Sequence, residues 1–289
     1  MSKQSLFEKW NAPKQPKPKK TKKKDTDLPP VPEKPKDVRP FPLTFVGVIP
    51  SKRLFEGKKV LVVGSSEWGP VILKESAERV VSFVWELPSG RLSDDRRMPV
   101  LPMPADGEFP YPDGYFDTVF LSGALSATEE PEKLLAEAAR ITAPSATVCI
   151  EETPYRSPHG SGLDDVIRMP FGHLLFDKKT IVRGCADAWK DLPEAEKKKK
   201  MRFTARRGLD GKLRFLPKER GMSGAKMKKT VPVGVFETKN LIFRPIEKGI
   251  CPTLAKIPGV RDFASEKIVM VLEKKSATEL NTEKKKEER

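Results

Sequence analysis

Short apolar runs alternate with mixed segments between residues 59 and 151, and this alternation predicts an α/β domain. The run Lys59–Val63 is rich in β-branched residues and ends at Gly64, and similar runs follow at Arg79–Trp85 and Phe116–Ser122. Continuous apolar runs of about four to eight residues are typical of strands that are buried on both faces of a parallel sheet. We therefore predict right-handed βαβ units and a mainly parallel sheet with helices on both faces.

Amphipathic segments and further apolar runs continue this pattern toward the C terminus. Pro70–Arg79 is predicted to be the first crossover helix. Pro131 begins a second helix, whose apolar face consists of Leu134, Leu135, Ala138 and Ile141. A third helix is predicted at Asp177–Lys190, and further strands at Ala146–Glu151, Val231–Phe243 and Lys267–Leu272. These elements are expected to form one folded domain.

Composition divides the chain into this domain and two polar tails. Residues 1–40 are dominated by Pro and Lys and lack the apolar residues needed for a core, so we expect a disordered tail there. The domain is predicted at 41–275, with a basic insertion at 197–229, and a charged tail follows at 276–289. Ser5–Trp10 is a small apolar cluster, which is interpreted either as an anchor for a protein partner or as a frayed terminus.

The chain carries a formal net charge of +15, which favours a polyanionic partner because Lys and Arg displace counterions from phosphates. Cations cluster without compensating acids at 13–24, and at 197–229 they are opposed only by Asp210 and Glu219. The predicted partner is therefore RNA or a ribonucleoprotein complex. The candidate RNA-binding residues are Lys19, Lys20, Lys22, Lys23, Lys24, Lys198, Lys199, Arg202, Arg206, Arg207, Arg214 and Lys228.

Glycines and apolar residues are interleaved with the cations of the insertion 197–229. The glycines predict a loop with a short hairpin around Asp210–Gly211. The apolar residues, together with the cations, resemble the mixture that proteins use on single-stranded RNA: Phe203, Leu213, Phe215 and Met222. The alternative is that this charged run is only solvated.

Several other classes of protein are not supported by the sequence. No run approaches the roughly 20 apolar residues needed to cross a bilayer, and the first residues lack the apolar core of a secretory signal. Cys149, Cys185 and Cys251 form no C-x-x-C pair, so neither a disulfide framework nor a metal site is expected. We expect a soluble intracellular protein of the nucleus, nucleolus or cytoplasm. The N terminus does not resemble a mitochondrial transit peptide, but import into that organelle is left open.

An ordered series of short motifs runs from residue 55 to residue 152. Phe109–Asp117 has the sequence FPYPDGYFD, Pro131–Arg140 has PEKLLAEAAR, and Ile141–Pro144 has ITAP. With Lys59–Gly64 ahead of them, these motifs resemble the type 11 group of class I S-adenosylmethionine-dependent methyltransferases. The resemblance implies that superfamily's Rossmann-like fold, a mostly parallel sheet of about seven strands with an antiparallel last strand. It also implies S-adenosyl-L-methionine as the cofactor.

The cofactor loop departs from the family's V-L-D-x-G-x-G-x-G pattern and is degenerate. Val62 replaces the acid, and Ser66 and Trp68 replace two glycines, so the ring of Trp68 is expected to fill cofactor space. Glu86 stands where the family has the acid that binds the ribose, and Asp106 lies one residue beyond the adenine-binding position. Losing two charge-assisted hydrogen bonds would lower affinity by about two to four decades. The candidate cofactor-binding residues implied by the resemblance are Gly64, Ser65, Glu67, Gly69, Glu86, Asp106 and Ser122.

No catalytic residue is assigned from the sequence. His159 and His173 follow the fifth predicted strand, where a general base is plausible chemically, but surface positions explain them more simply. Cys149 lies inside a predicted buried strand, which argues against a nucleophile. Glu152–Tyr155 is interpreted as a turn.

Two hypotheses remain open at this point. In the first, the protein methylates RNA or a ribonucleoprotein component, and Glu86 favours it. In the second, the fold is retained as a structural or assembly subunit of an RNA-containing complex such as a ribosome-like particle. Val62, Ser66 and Trp68 favour the second hypothesis, because they replace the acid and two glycines of the cofactor loop. The fold alone does not decide between the two hypotheses.

Overall fold

The computed structural model describes residues 45, 48–65, 68–85, 95–128, 130–160, 166, 169–194, 197, 205–207, 213–215, 222–247 and 250–276. For 205–207 and 213–215 it describes the backbone alone. The predictions for the tails 1–40 and 277–289, and for Ser5–Trp10, lie outside these residues. The predicted domain boundaries therefore stay predictions.

Nine strands in the described residues form two sheets. The strands are β1 (Lys59–Val63), β2 (Arg79–Val84), β3 (Val100–Pro102), β4 (Phe116–Ser122), β5 (Thr142–Glu152), β6 (Ala205–Arg207), β7 (Leu213–Phe215), β8 (Phe236–Pro245) and β9 (Ser265–Lys274). The main sheet has seven strands in the order β3-β2-β1-β4-β5-β9-β8. The first five strands in this order are parallel to one another, whereas β9 is antiparallel to both β5 and β8. The predicted fold class, a mostly parallel sheet with an antiparallel last strand, is confirmed.

Helices surround the main sheet. In the described residues they are α1 (Ser51–Phe55), α2 (Gly69–Lys74), α3 (Ala124–Ala127), α4 (Pro131–Ile141), α5 (Gly172–Leu175), α6 (Lys178–Lys190), α7 (Gly224–Thr230), α8 (Cys251–Leu254) and α9 (Arg261–Ala264). None of those helices has the length and apolar character needed to span a bilayer.

Alternation along β1 divides the core into two layers. Val60 and Val62 point to the layer that contains α1 and α2, while Leu61 and Val63 point to the layer that contains α4. All four side chains are fully buried. Because side chains alternate across a strand, an apolar run of this kind is stable only when both faces of the sheet are covered. The run Lys59–Val63 therefore specifies the centre of the sheet.

Several predicted elements differ from the structure. The crossover helix after β1 ends at Lys74 rather than Arg79, since Ser76 adopts a left-handed φ of 68°. The insertion is predicted to be a loop, but its end forms α7, where the Ser223 side chain accepts a hydrogen bond from the N–H of Lys226. The predicted hairpin around Asp210–Gly211 agrees with the antiparallel pairing of β6 and β7.

Candidate cofactor crevice

The carboxyl edge of the parallel strands contains the topological switch point of the sheet. β1 pairs with β2 on one side and with β4 on the other, so the chain leaves β1 in one direction and β4 in the opposite direction. Ligands of doubly wound sheets bind in the crevice at such a point. Gly64 follows β1 and Ser122 ends β4, so both predicted residues lie at this crevice.

Gly64 is held closely against its neighbours on both sides. Its N–H donates to the carbonyl of Phe83 at 2.9 Å, and its φ is 101°. A Cβ at this position would lie 2.2 Å from the carbonyl oxygen of Ser122. The glycine is therefore required by the chain's own backbone, since no other residue tolerates both the left-handed φ and this approach.

The indole of Trp85 lies in the crevice beside Gly64. Its Cζ3 atom is 3.4 Å from the position that a Cβ on Gly64 would occupy. Trp85 directly follows β2, is half-buried, and packs with the apolar layer that contains α4. The side chain thus reaches from the end of β2 to the junction of β1 and β4. The apolar ring therefore borders the loop after β1 at the switch point.

Trp68, which the sequence predicts as the residue that fills the crevice, packs elsewhere. It is half-buried against the layer that contains α1 and α2. The first turn of α2 is also closed by a sulfur side chain, because the Sδ of Met98 is 2.5 Å from the Cβ position on Gly69. The prediction that Trp68 fills the crevice is therefore not supported by its position, and the tryptophan that lies beside Gly64 is Trp85.

A separate cavity of about 500 Å³ opens at the β3 side of this edge. Its apolar wall includes Phe83 and Leu101, and its polar wall includes Asp106 and Glu108. The carboxylate of Asp106 accepts a hydrogen bond from the N–H of Glu108 at 3.0 Å, and Lys133 Nζ donates to the carbonyl of Asp106 at 2.6 Å. The predicted residue Asp106 therefore lines a cavity, but Gly64 and Ser122 do not line it.

The ends of β4 and β5 are fixed by a buried carboxylate. Oε1 of Glu152, which is fully buried, accepts hydrogen bonds from the N–H groups of Leu125 at 2.8 Å and Ser126 at 3.3 Å. These donors are in the short helix α3, so Glu152 holds this helix against the crevice. The turn predicted at Glu152–Tyr155 is found only at the end of that segment, where the N–H of Ser157 donates to the carbonyl of Pro154 at 3.0 Å, because Glu152 itself ends β5.

The candidate base and nucleophile side chains lie in β5, in the loop after it and in α5. Cys149 is fully buried within β5, and burial raises the pKa of its thiol well above the ordinary range, which disfavours a thiolate. Burial lowers the pKa of His173, although the hydrogen bond between its Nε2 and the carbonyl of Tyr155 opposes this effect. His159 is exposed. The described residues include no cluster of three metal-ligating side chains.

The structure brings only some of the predicted site residues together. Gly64, Ser65 and Ser122 lie at the crevice, Gly69 is buried beneath Met98, and Asp106 lies at the β3-side cavity. Glu67 and Glu86 lie outside the described residues, as do the RNA-binding candidates Lys19, Lys20, Lys22, Lys23, Lys24, Lys198, Lys199 and Arg202. Arg206, Arg207 and Arg214 belong to the β6–β7 hairpin, and Lys228 is exposed on α7.

Trp85 and Met98 are the residues that sequence reasoning misses. Trp85 is interpreted only as the end of an apolar run, although it directly precedes Glu86 at the switch point. A signal was present, since a bulky apolar residue at the end of the second strand faces the same crevice as the loop after the first strand.

The fold and the matched family imply S-adenosyl-L-methionine as the cofactor. Two described features of the crevice differ from the family's pattern. The indole of Trp85 lies beside Gly64 at the end of β1. The buried side chain of Val62 occupies the position of the family's acid, so β1 supplies no carboxylate there.

A family model described as a methyltransferase domain matches residues 90–150, which confirms the resemblance predicted from the motifs in that segment. None of the curated proteins matches the sequence.

Solved structures with a similar fold share little sequence with this chain. An S-adenosylmethionine-dependent methyltransferase from Mesorhizobium loti is 11% identical, with a TM-score of 0.46, over 80% of this chain and 95% of the other. One from Aquifex aeolicus is 13% identical, with a TM-score of 0.41, over 80% and 93%. A chain from the Haloferax volcanii complex between the Trm112 methyltransferase activator and a methyltransferase is 12% identical, with a TM-score of 0.44, over 77% and 85%. The chain has the Rossmann-like fold of the class I S-adenosylmethionine-dependent methyltransferases, and its central segment matches the methyltransferase domain family.

Proposed function

We propose that this chain is a methyltransferase-fold subunit that binds RNA or a ribonucleoprotein, with its cofactor crevice closed by its own side chains. The observation that supports this most is the position of the Trp85 indole at the switch point, where its Cζ3 atom lies 3.4 Å from the place that a Cβ on Gly64 would take. A subunit of this kind uses the fold as a rigid base for its basic segments. It needs no methyl donor for that role.

The charge distribution supports RNA as the partner. The net charge is +15, and the segment 197–229 has only Asp210 and Glu219 to oppose its cations. The structure anchors the end of this segment, because the N–H of Tyr155 donates to the carbonyl of Met222 at 2.9 Å. A basic segment held at a rigid edge supplies phosphate contacts at a defined place on the fold.

Thermal unfolding with millimolar S-adenosylmethionine tests the closed crevice. We expect no stabilisation of the wild-type chain, and a stabilisation that appears when Trp85→Ala opens the crevice. Trp68→Ala is the matched control, since it removes an equal ring from the opposite layer of the core. A ligand at about a hundredfold excess over its Kd adds about 2.7 kcal/mol to the free energy of unfolding. A rise of that size in the wild-type chain would contradict the proposal.

A second candidate function is an S-adenosylmethionine-dependent methyltransferase that acts on RNA or a ribonucleoprotein. The cavity of about 500 Å³ beside Asp106 and Glu108 favours it, because its size is within the range of small-ligand sites. This function requires the wild-type chain to bind the cofactor. The same thermal experiment therefore separates the two candidates.

A salt titration of RNA binding tests the other half of the proposal. Three variants of the full chain each replace three lysines with Gln, at Lys22–Lys24, at Lys198–Lys200 or, as the control, at Lys284–Lys286, where acids flank the lysines. We expect the first two to reduce the logarithmic salt slope by about 2, at about 0.7 for each lost phosphate contact, and the control to leave it unchanged. Wild-type binding without salt dependence would contradict an RNA partner.

A further inference from the structure

Four elements meet beyond the carboxyl end of β5, at the β5–β8 half of the sheet. The loop after β5 carries Arg156, β8 carries Phe243, and α9 carries Arg261 and Phe263. The fourth element is α7, whose first residue Gly224 packs so closely on Phe243 that an added Cβ would lie 2.3 Å from the ring. We call Arg156, Phe243, Arg261 and Phe263 the Arg–Phe platform.

Each aromatic ring of the Arg–Phe platform is paired with a guanidinium group. The guanidinium carbon of Arg261 lies 4.0 Å from the ring centroid of Phe243, and that of Arg156 lies 5.6 Å from the centroid of Phe263. Arg156 is exposed, and Phe263 retains 37% of its surface. Planar cations and rings at such a surface can stack on other planar groups.

The acid within α9 lies close to both arginines of the platform. Burial raises the pKa of the Asp262 carboxyl, while a hydrogen bond from the backbone N–H of Gly224 and the charges of Arg261 and Arg156 act in the opposite direction. Asp262 is half-buried, so it joins α9 to α7 and offsets part of the charge of the two arginines.

The basic segment is joined directly to the platform. Met222, near the end of that segment, forms a parallel bridge with Pro154, two residues before Arg156. Its carbonyl also accepts the N–H of Tyr155 at 2.9 Å. The described end of the basic segment therefore lies next to the loop that carries Arg156.

We propose that the Arg–Phe platform is a stacking surface for the bases of single-stranded RNA. This inference rests on the proposed function and adds to it a defined place of contact. Bases stack on aromatic rings and on guanidinium planes irrespective of sequence, while adjacent cations neutralise the phosphates. Exposed aliphatic side chains beside the platform, Val260 at 39% and Ile257 at 47%, provide an apolar border for ribose and base edges. Charge favours RNA over an apolar protein partner, because the segment that leads to the platform is strongly basic.

The test measures binding of a fluorescent single-stranded RNA oligomer to the full chain. Phe263→Ala should weaken binding by about five- to a hundredfold, the range of one lost base stack, without changing the salt slope. Phe263→Tyr keeps the ring and should bind like the wild type. Val233→Ala is the control, because it truncates another exposed apolar side chain, one that retains 100% of its surface. Ultraviolet cross-linking should attach RNA to the tryptic peptide Asp262–Lys267.

Each outcome bears on one claim. If the wild-type chain does not bind RNA in a salt-dependent way, the proposed function is overturned and the platform with it. If the wild type binds but Phe263→Ala and Val233→Ala bind equally well, the stacking surface alone is wrong. The same conclusion follows if the change at Phe263 leaves RNA binding intact and instead abolishes capture of a protein partner. If Phe263→Ala unfolds, the cross-linked peptide of the wild-type chain decides the question.

Discussion

The two halves of the carboxyl edge differ in what they present to solvent. At the β1–β4 half, where the sequence resembles known methyltransferases, the indole of Trp85 lies beside Gly64 and the buried Val62 stands at the position of the family's acid. At the β5–β8 half, where the resemblance is weakest, Arg156 and Phe263 form an exposed cationic and aromatic surface. The fold specifies where a site can be, but the side chains at that place decide whether a ligand can enter.

The largest expected effect comes from restoring the family's acid at the closed half. Val62 is fully buried in β1, so Val62→Asp would place a carboxylate in the layer that contains α1 and α2. An unpaired buried charge should lower the free energy of unfolding by more than about 4 kcal/mol, as measured by urea unfolding. Val62→Ala, which only opens a cavity, should cost about 2 kcal/mol. If the two variants lower the free energy of unfolding by the same amount, this half of the sheet has room for the acid.

A smaller effect is expected at the segment that borders the β3-side cavity. Arg140 bonds to Glu137 at 2.6 Å and to Asp113 at 2.8 Å, and it donates to the carbonyls of Phe109 and Tyr111. Arg140→Met should lower the free energy of unfolding by about 2–3 kcal/mol, because the nearly buried carboxylate of Glu137 loses its cation.

Arg183→Met is the control for this prediction, since Arg183 is exposed on α6. It should change the free energy of unfolding by less than about 0.5 kcal/mol. Similar values for the two variants would mean that the motif resembling the methyltransferases is not held by Arg140.

The smallest predicted effect concerns the support of the open half. His173 packs edge-on against Tyr155 with ring centroids 4.8 Å apart, next to Arg156. Because burial lowers its pKa, the unfolded chain binds a proton more readily than the folded chain, so stability is full above about pH 6.5 and falls as the pH drops. His173→Gln should lessen the loss of unfolding free energy between about pH 7.5 and about pH 5.

The matched control for that change is His159→Gln, which alters the exposed histidine of the loop after β5. Urea unfolding at the two pH values measures the difference for each variant. If His173→Gln keeps the full pH dependence of the wild type, His173 does not support the loop through its neutral form.

The main sheet was predictable where a local pattern determined the structure. Lys59–Val63 and Phe116–Ser122 match their predicted bounds, since continuous apolar runs leave few alternatives to a buried strand. β3 has only three residues and ends in Pro102, so it carries no such pattern. The short helices α8 and α9 were also missed, because four-residue helices are fixed by tertiary contacts rather than by periodicity.

The candidate site was predictable in position but not in occupancy. Gly64 and Ser122 were placed at the same edge because the carboxyl ends of parallel strands coincide. Trp68 was predicted to fill the cofactor space, whereas the structure places Trp85 beside Gly64. Side chains along a strand alternate between the two faces of the sheet, so a shift of one position places a residue on the opposite face. The Arg–Phe platform joins residues more than a hundred positions apart and has no local signal.

Fluorine NMR of the chain labelled with 5-fluorotryptophan tests the closed crevice most directly. The chain has four tryptophans, and Trp85→Phe and Trp68→Phe assign the two resonances that matter. With millimolar S-adenosylmethionine, the account predicts that the Trp85 resonance of the wild-type chain stays in place. A saturable shift of the Trp85 resonance, with that of Trp68 unchanged, would show that the cofactor enters beside Gly64 and would contradict the account.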